Sequence, residues 1–122
     1  MSRARQALGR FGEDLACAEL EKRGYVVIER RYRRRGGELD IIARDGRTVA
    51  FVEVKAREGR DFGDAAEAVT GRKRRRMTQL ALDYLARHHL TECACRFDVV
   101  SIYVGPERTT IEVFQNAFSA SD

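Results

Sequence analysis

Three cysteines, Cys17, Cys93 and Cys95, form an odd set with no paired spacing of the kind used by zinc sites. This argues against a disulfide framework or a structural zinc ion and for ordinary thiols in a reducing cytoplasm. The two histidines, His88 and His89, are adjacent; on a helix they point in different directions and make a poor ligand pair, so both read as surface or helix-end residues. No stretch approaches the roughly 20 apolar residues that span a bilayer. The N-terminal Met1-Ser2-Arg3-Ala4-Arg5-Gln6 lacks the apolar run of a signal peptide. Internal repeats and low-complexity linkers are absent as well. The expectation is one cytoplasmic domain over residues 1–118 with a short polar tail at 119–122, since 122 residues support one core and are too few for two.

Positive charge, by contrast, is abundant and unevenly placed. The net charge of +4 conceals two basic runs, Arg30, Arg31, Arg33, Arg34 and Arg35, and Arg72 through Arg76, which includes Lys73. Outside these runs 13 basic residues face 19 acidic ones, so the remainder is net negative. Positive charge concentrated in this way is an electrostatic footprint for a phosphate backbone, although a solvated basic face without a partner has the same composition. Tyr32 within the first run is an aromatic of the kind that stacks on bases, the alternative being that it simply packs.

The stretch from Gly36 to Arg57 organises the rest. Two apolar runs flank Asp45-Gly46, a dipeptide that favours a two-residue hairpin turn. A turn centred there sets Arg44 against Arg47 and Asp40 against Phe51. Because side chains alternate along a strand, Glu38, Asp40 and Ile42 then share a face with Phe51, Glu53 and Lys55. Leu39, Ile41 and Ala43 share the opposite, wholly apolar face with Ala50, Val52 and Val54. Asp40 and Glu53 become diagonal neighbours with Cβ atoms about 7 Å apart. Any even-length turn centred there preserves this parity, and a one-residue slip destroys it.

Asp40, Glu53 and Lys55 are chemically coherent together. Mg²⁺ or Mn²⁺ takes hard oxygen ligands, usually one or two carboxylates completed by water and substrate phosphate. An ion so held activates water and neutralises charge on a phosphodiester, while Lys55 would orient the water or stabilise the charged transition state. The competing reading is a salt-bridged hairpin face looking into water, because a lone Glu-x-Lys is a weak motif.

Around this hairpin, Arg3 to Arg23 is expected to be a helix with Leu8, Phe11, Leu15 and Ala18 as its core stripe, widened by Gly9, Gly12, Ala16 and Leu20. Glu13 falls at the rim of that arc. Tyr25 to Tyr32 suits a buried strand through Val26, Val27 and Ile28, and Gly36-Gly37 a permissive connection. Glu58 to Val69 is expected to be a loop, with a helical turn near Ala65 to Val69 and with Arg57, Arg60 and Phe62 placed to touch substrate or a second subunit. Thr70 is the expected N-cap of a helix from Gly71 to about His88, with Met77, Leu80, Ala81, Tyr84 and Leu85 facing the core. Lys73, one turn before Met77, points towards the sheet. Arg96 to Val104 and Thr109 to Phe114 are strands, the latter at an edge. Asp98 reads as a structural acid.

The blocks Gly12-Glu13, Gly24-Tyr25, Gly37-Glu38-Leu39-Asp40, Phe51-Val52-Glu53-Val54-Lys55, Lys73 and Arg96-Phe97-Asp98 resemble, in order and spacing, the YraN-like family of small bacterial proteins over nearly the whole chain. That family is placed in the restriction-endonuclease-like, PD-(D/E)xK superfamily, which includes archaeal Holliday-junction resolvases. The resemblance implies a three-layer α/β/α domain around a central mixed sheet. It implies Asp40, Glu53 and Lys55 as catalytic residues and Glu13 as a further metal ligand, matching a first-helix glutamate of the resolvases. It also sets Lys73 near the scissile phosphate. Leu39 stands where the nominal proline of the superfamily motif would be, a position without a catalytic group.

The resulting expectation is a metal-dependent nuclease acting on DNA, branched or otherwise structured. Lys73, Arg72, Arg74, Arg75, Arg76, Arg33, Arg34, Arg35 and Arg57 would hold phosphates. The alternatives are a non-catalytic nucleic-acid-binding module that retains the fold, and a scaffold whose basic runs meet an acidic protein. A homodimer would let two such small domains address two strands, but no residue demonstrates one.

Overall fold

Apolar alternation and a few turn formers translate into seven elements in the computed structural model, which describes residues 3–58 and 69–120. Helix α1 (Arg3–Lys22) precedes strands β1 (Val26–Arg34), β2 (Gly37–Asp45) and β3 (Thr48–Glu58). Helix α2 (Gly71–Arg87) follows, then β4 (Cys95–Val104) and β5 (Thr109–Phe118). The strands form one sheet in chain order, and every neighbouring pair is antiparallel except β3 and β4. A parallel pair needs a long crossover, and the segment containing α2 supplies it.

The two helices cover opposite faces. Ala16, Cys17 and Leu20 of α1 pack on Ile41, Ala43, Ala50, Val52, Val100 and Ile102. On the other side Met77, Leu80, Ala81, Tyr84 and Leu85 of α2 pack on Leu39, Ile42, Phe51, Phe97 and Val99. The expected α2 face and its cap are both present: Thr70 Oγ1 accepts the Lys73 N–H at 3.3 Å. The result is the expected three-layer α/β/α domain with a mixed sheet, consistent with a restriction-endonuclease-like fold.

Four local expectations are corrected. The buried stripe of α1 runs through Gly12, Glu13, Ala16, Cys17 and Leu20, whereas Phe11 is 47 % exposed. Its small residues let the helix lie close to the sheet: a β-carbon on Gly12 would stand 2.6 Å from Ala56 Cβ. Strand β1 is an outer strand, with Val26 and Ile28 exposed and only Val27 of the apolar trio packed on the α1 side. The central hairpin is two residues out of the expected register, with Asp45 opposite Thr48 and the turn at Gly46–Arg47. Gly46 has φ +62° and takes the first central position, where such turns demand a positive φ. Finally, Leu39 packs on the α2 side with Ile42, while Ile41 faces α1. Strict alternation therefore breaks near Asp40.

Strand β5 continues past the expected Phe114 to Phe118. The expectations for Arg60, Phe62 and the turn from Ala65 lie outside the described residues, and Val69 is buried.

Candidate functional site

The break in alternation marks where β2 leaves β3. Main-chain pairing of the two strands runs from Asp45↔Thr48 to Ile41↔Val52 and stops there. The same register carried one step further sets Asp40 directly opposite Glu53, rather than diagonal to it. Beyond the last pair, Asp40 Oδ2 accepts the Val54 N–H at 2.8 Å. A carboxylate thus replaces a main-chain carbonyl as the partner of that strand amide, which fixes its position.

Asp40 is half-buried, and Glu53 is buried. Burial first, and then the charge of Glu53, push the Asp40 carboxyl up to about 8 from its ordinary 3.8; the Val54 hydrogen bond and Lys73 oppose the rise. Glu53 is close enough to share a hydrogen bond with Asp40. Two acids that resist simultaneous ionisation form a site that favours a cation. From the other layer Lys73 reaches Glu53, its Nζ 2.7 Å from Oε1. Lys55 is half-buried and lines the same cleft as Asp40.

Glu13 also lines this cleft, but its carboxylate is engaged elsewhere. Arg30 Nε and Arg31 Nε both donate to its Oε1, at 3.0 and 3.1 Å. Arg31 adopts φ +56° opposite Asp40, a left-handed conformation that non-glycine residues seldom take within a strand. Among the described residues, no three acidic, histidine or cysteine side chains stand together as a metal-binding group. Asp40 and Glu53 are two carboxylates that stand together. Hard carboxylate oxygens of this kind are what Mg²⁺ or Mn²⁺ takes as ligands.

The cleft measures about 880 Å³ and lies between the first half of α1, the end of β1 and the far end of β3. Arg5, Arg10, Arg31, Arg33, Lys55 and Arg57 line it together with Glu13, Glu38, Asp40 and Glu58. Arg5 and Arg10 were not anticipated as site residues. Their signal was helical spacing, because Arg5 and Arg10 precede Glu13 by about two turns and one turn. Of the expected phosphate contacts, Arg33 and Arg57 are at this cleft.

Arg34, Arg35 and Arg76 instead line a smaller groove of about 330 Å³ between the β1–β2 turn and α2, joined by Gln79, Asp83 and Arg87. There Tyr32 donates to Asp83 Oδ2 at 2.6 Å and Arg87 Nε donates to Asp83 Oδ1 at 3.0 Å. Arg72 and Arg75 are exposed on the first turn of α2. Arg74 has a structural part: its Nε donates to the Val69 carbonyl at 3.0 Å and its guanidinium lies 5.2 Å from the Phe118 ring centroid.

Asp98 does not line the cleft and is fully buried. It accepts from Tyr25 at 2.9 Å, from Arg96 at 3.0 Å and from the Asn116 N–H at 2.9 Å. Arg96 continues to Asp45 at 2.7 Å, which fastens the hairpin turn to the sheet. The arrangement agrees with the reading of Asp98 as a structural acid.

A family model described as "Uncharacterised protein family UPF0102" matches residues 12–102, a span that contains Glu13, Asp40, Glu53, Lys55 and Lys73. The chain belongs to this family. The UPF0102 protein of Geobacter metallireducens is 44 % identical over 118 residues, covering 97 % of both chains. That of Frankia alni is 47 % identical, covering 95 % of this chain and 98 % of its own. A third, from Symbiobacterium thermophilum, is 47 % identical across 93 % of this chain and 97 % of its own. The UPF0102 relatives are thus matched over nearly their full length. Among the described residues, no helix is long and apolar enough to cross a membrane.

Proposed function

We propose that this UPF0102 protein is a metal-dependent nuclease of the PD-(D/E)xK type that hydrolyses phosphodiester bonds in DNA. The observation that carries this reading is the Asp40/Glu53 pair, set where β2 parts from β3, with Asp40 lining an arginine-rimmed cleft. A bound Mg²⁺ or Mn²⁺ would supply Lewis acidity towards phosphate and water. Asp40 and Glu53 would hold that ion, and the Val54 amide fixes the Asp40 carboxylate in place. Lys55 offers its ammonium to the negative charge that grows on the phosphate in the transition state. Arg33 and Arg57 engage backbone phosphates, which position a substrate without reading its bases. So small a domain favours recognition of DNA shape, and a cytoplasmic site of action follows from that substrate.

The test is cleavage of labelled duplex, single-stranded and branched DNA in Mn²⁺ by wild type, Asp40→Asn, Glu53→Gln and Lys55→Ala. Cleavage by wild type and its loss in all three variants, with DNA binding retained, is expected. An Asp40→Asn protein cleaving at the wild-type rate overturns the assignment. Binding without cleavage by wild type on every substrate would instead favour the non-catalytic module.

A further inference from the structure

The acid pair already holds a cation of its own. Lys73 Nζ is 2.7 Å from Glu53 Oε1, and the partners differ sharply in freedom, with 42 % of the Lys73 side chain exposed against 8 % for Glu53. The Thr70 cap fixes the backbone at Lys73. The next turn of α2 is anchored by buried Met77. Only the four-carbon stem is therefore free to move, and lysine carries a compact charge on such a stem with little geometric commitment. Glu13 provides the contrast. Two guanidinium groups hold its carboxylate, and the forked donors of arginine are less readily displaced.

We propose that Lys73 is a built-in counter-ion of the Asp40/Glu53 pair, that a divalent metal must displace it, and that the displaced ammonium passes to the substrate phosphate. The inference rests on the metal-dependent reading above. Like charges at such short range repel in a half-buried site, so an ion that takes Glu53 expels the ammonium. A free ammonium at the edge of the site finds its next anion in a phosphate brought to the metal. Metal and phosphate then favour one another, and by thermodynamic linkage the coupling is reciprocal.

Calorimetric titration of Mn²⁺ into metal-free protein at pH 8 tests the first half, comparing wild type, Lys73→Gln and Lys73→Arg after each is shown to melt cooperatively. The Gln variant is expected to bind Mn²⁺ about tenfold more tightly, a typical coupling between sites. The Arg variant keeps the charge and stays weaker than Gln. Should Gln fail to fold, Lys73→Met preserves the stem and replaces it. Fluorescence anisotropy of a short DNA tests the second half, with and without Ca²⁺, an ion of the same charge and oxygen preference. Ca²⁺ tightens DNA binding severalfold in wild type and less in the Gln variant.

A folded Gln variant that binds Mn²⁺ no more tightly than wild type overturns the proposal, as does an equal gain from Ca²⁺ in both proteins. Mn²⁺ binding that disappears in Asp40→Asn but is unchanged in Lys73→Gln would remove only the role of Lys73. Failure of every protein to bind Mn²⁺ would remove the metal reading itself.

Discussion

Replacing Asp40 by asparagine removes a carboxyl that burial and Glu53 make costly to ionise, so it should stabilise the metal-free protein while abolishing its activity. Burial and Glu53 raise the Asp40 carboxyl to about 8 from 3.8. Near neutral pH the folded protein therefore keeps a proton that the unfolded chain has lost. A folded pKa above the unfolded one means stability that is fully present below pH 3.8 and is lost as the pH rises towards 8. At about 1.4 kcal/mol per pKa unit, the ceiling at pH 7 is roughly 4 kcal/mol. Lys73 and water reaching a half-buried side chain reduce it, and about 1–2 kcal/mol is the expected gain. Asparagine still accepts the Val54 N–H and can donate to Glu53.

Thermal melts in EDTA read this out. At pH 8 the Asn variant should melt roughly 4–8 °C above wild type, and the gap should shrink towards pH 5. Saturating Mn²⁺ should narrow or reverse the order, because only wild type gains stability from binding. An Asn variant no more stable than wild type at pH 8, or a gap that does not grow with pH, refutes the reasoning.

Gly12→Val drives a side chain into Ala56, whose Cβ lies 2.6 Å from the added β-carbon; a loss of about 1–3 kcal/mol is expected as a lower urea midpoint. Asp98→Ala leaves Arg96 without one of its buried partners and should cost about 3–5 kcal/mol, with Mn²⁺ affinity unchanged in the folded fraction. Arg33→Ala removes a largely exposed side chain that pairs with Glu38. Its stability should stay within about 0.5 kcal/mol, while DNA affinity falls and the salt dependence of binding loses about one unit of slope.

Much of the architecture was legible because the pattern and the packing agree. The face of α2 from Met77 to Leu85 is spaced as a helix buries it, and Thr70 carries the oxygen that a cap requires. Asp40 and Glu53 could be brought together from the strand pattern, although as diagonal neighbours where the structure sets them opposite. What escaped depends on contacts distant in sequence. The turn moved to Gly46–Arg47 because a positive φ suits glycine in the first central position, with Arg96 holding Asp45. The buried face of α1 was misplaced because closeness to Ala56 selects glycine over the larger Phe11. Engagement of Glu13 by Arg30 and Arg31 follows from a left-handed residue in an outer strand, which no spacing rule announces. Division of the arginine run between two clefts likewise depends on where α2 meets the β1–β2 turn.

Whether Asp40 and Glu53 together hold a divalent ion is the point on which the account turns. Titrating Mn²⁺ by calorimetry into wild type, Asp40→Asn and Glu53→Gln, with and without DNA, addresses it directly. The account predicts a site in wild type that is lost in both variants while each remains folded. Wild type that binds no ion even with DNA present, or either variant binding as wild type does, would contradict it.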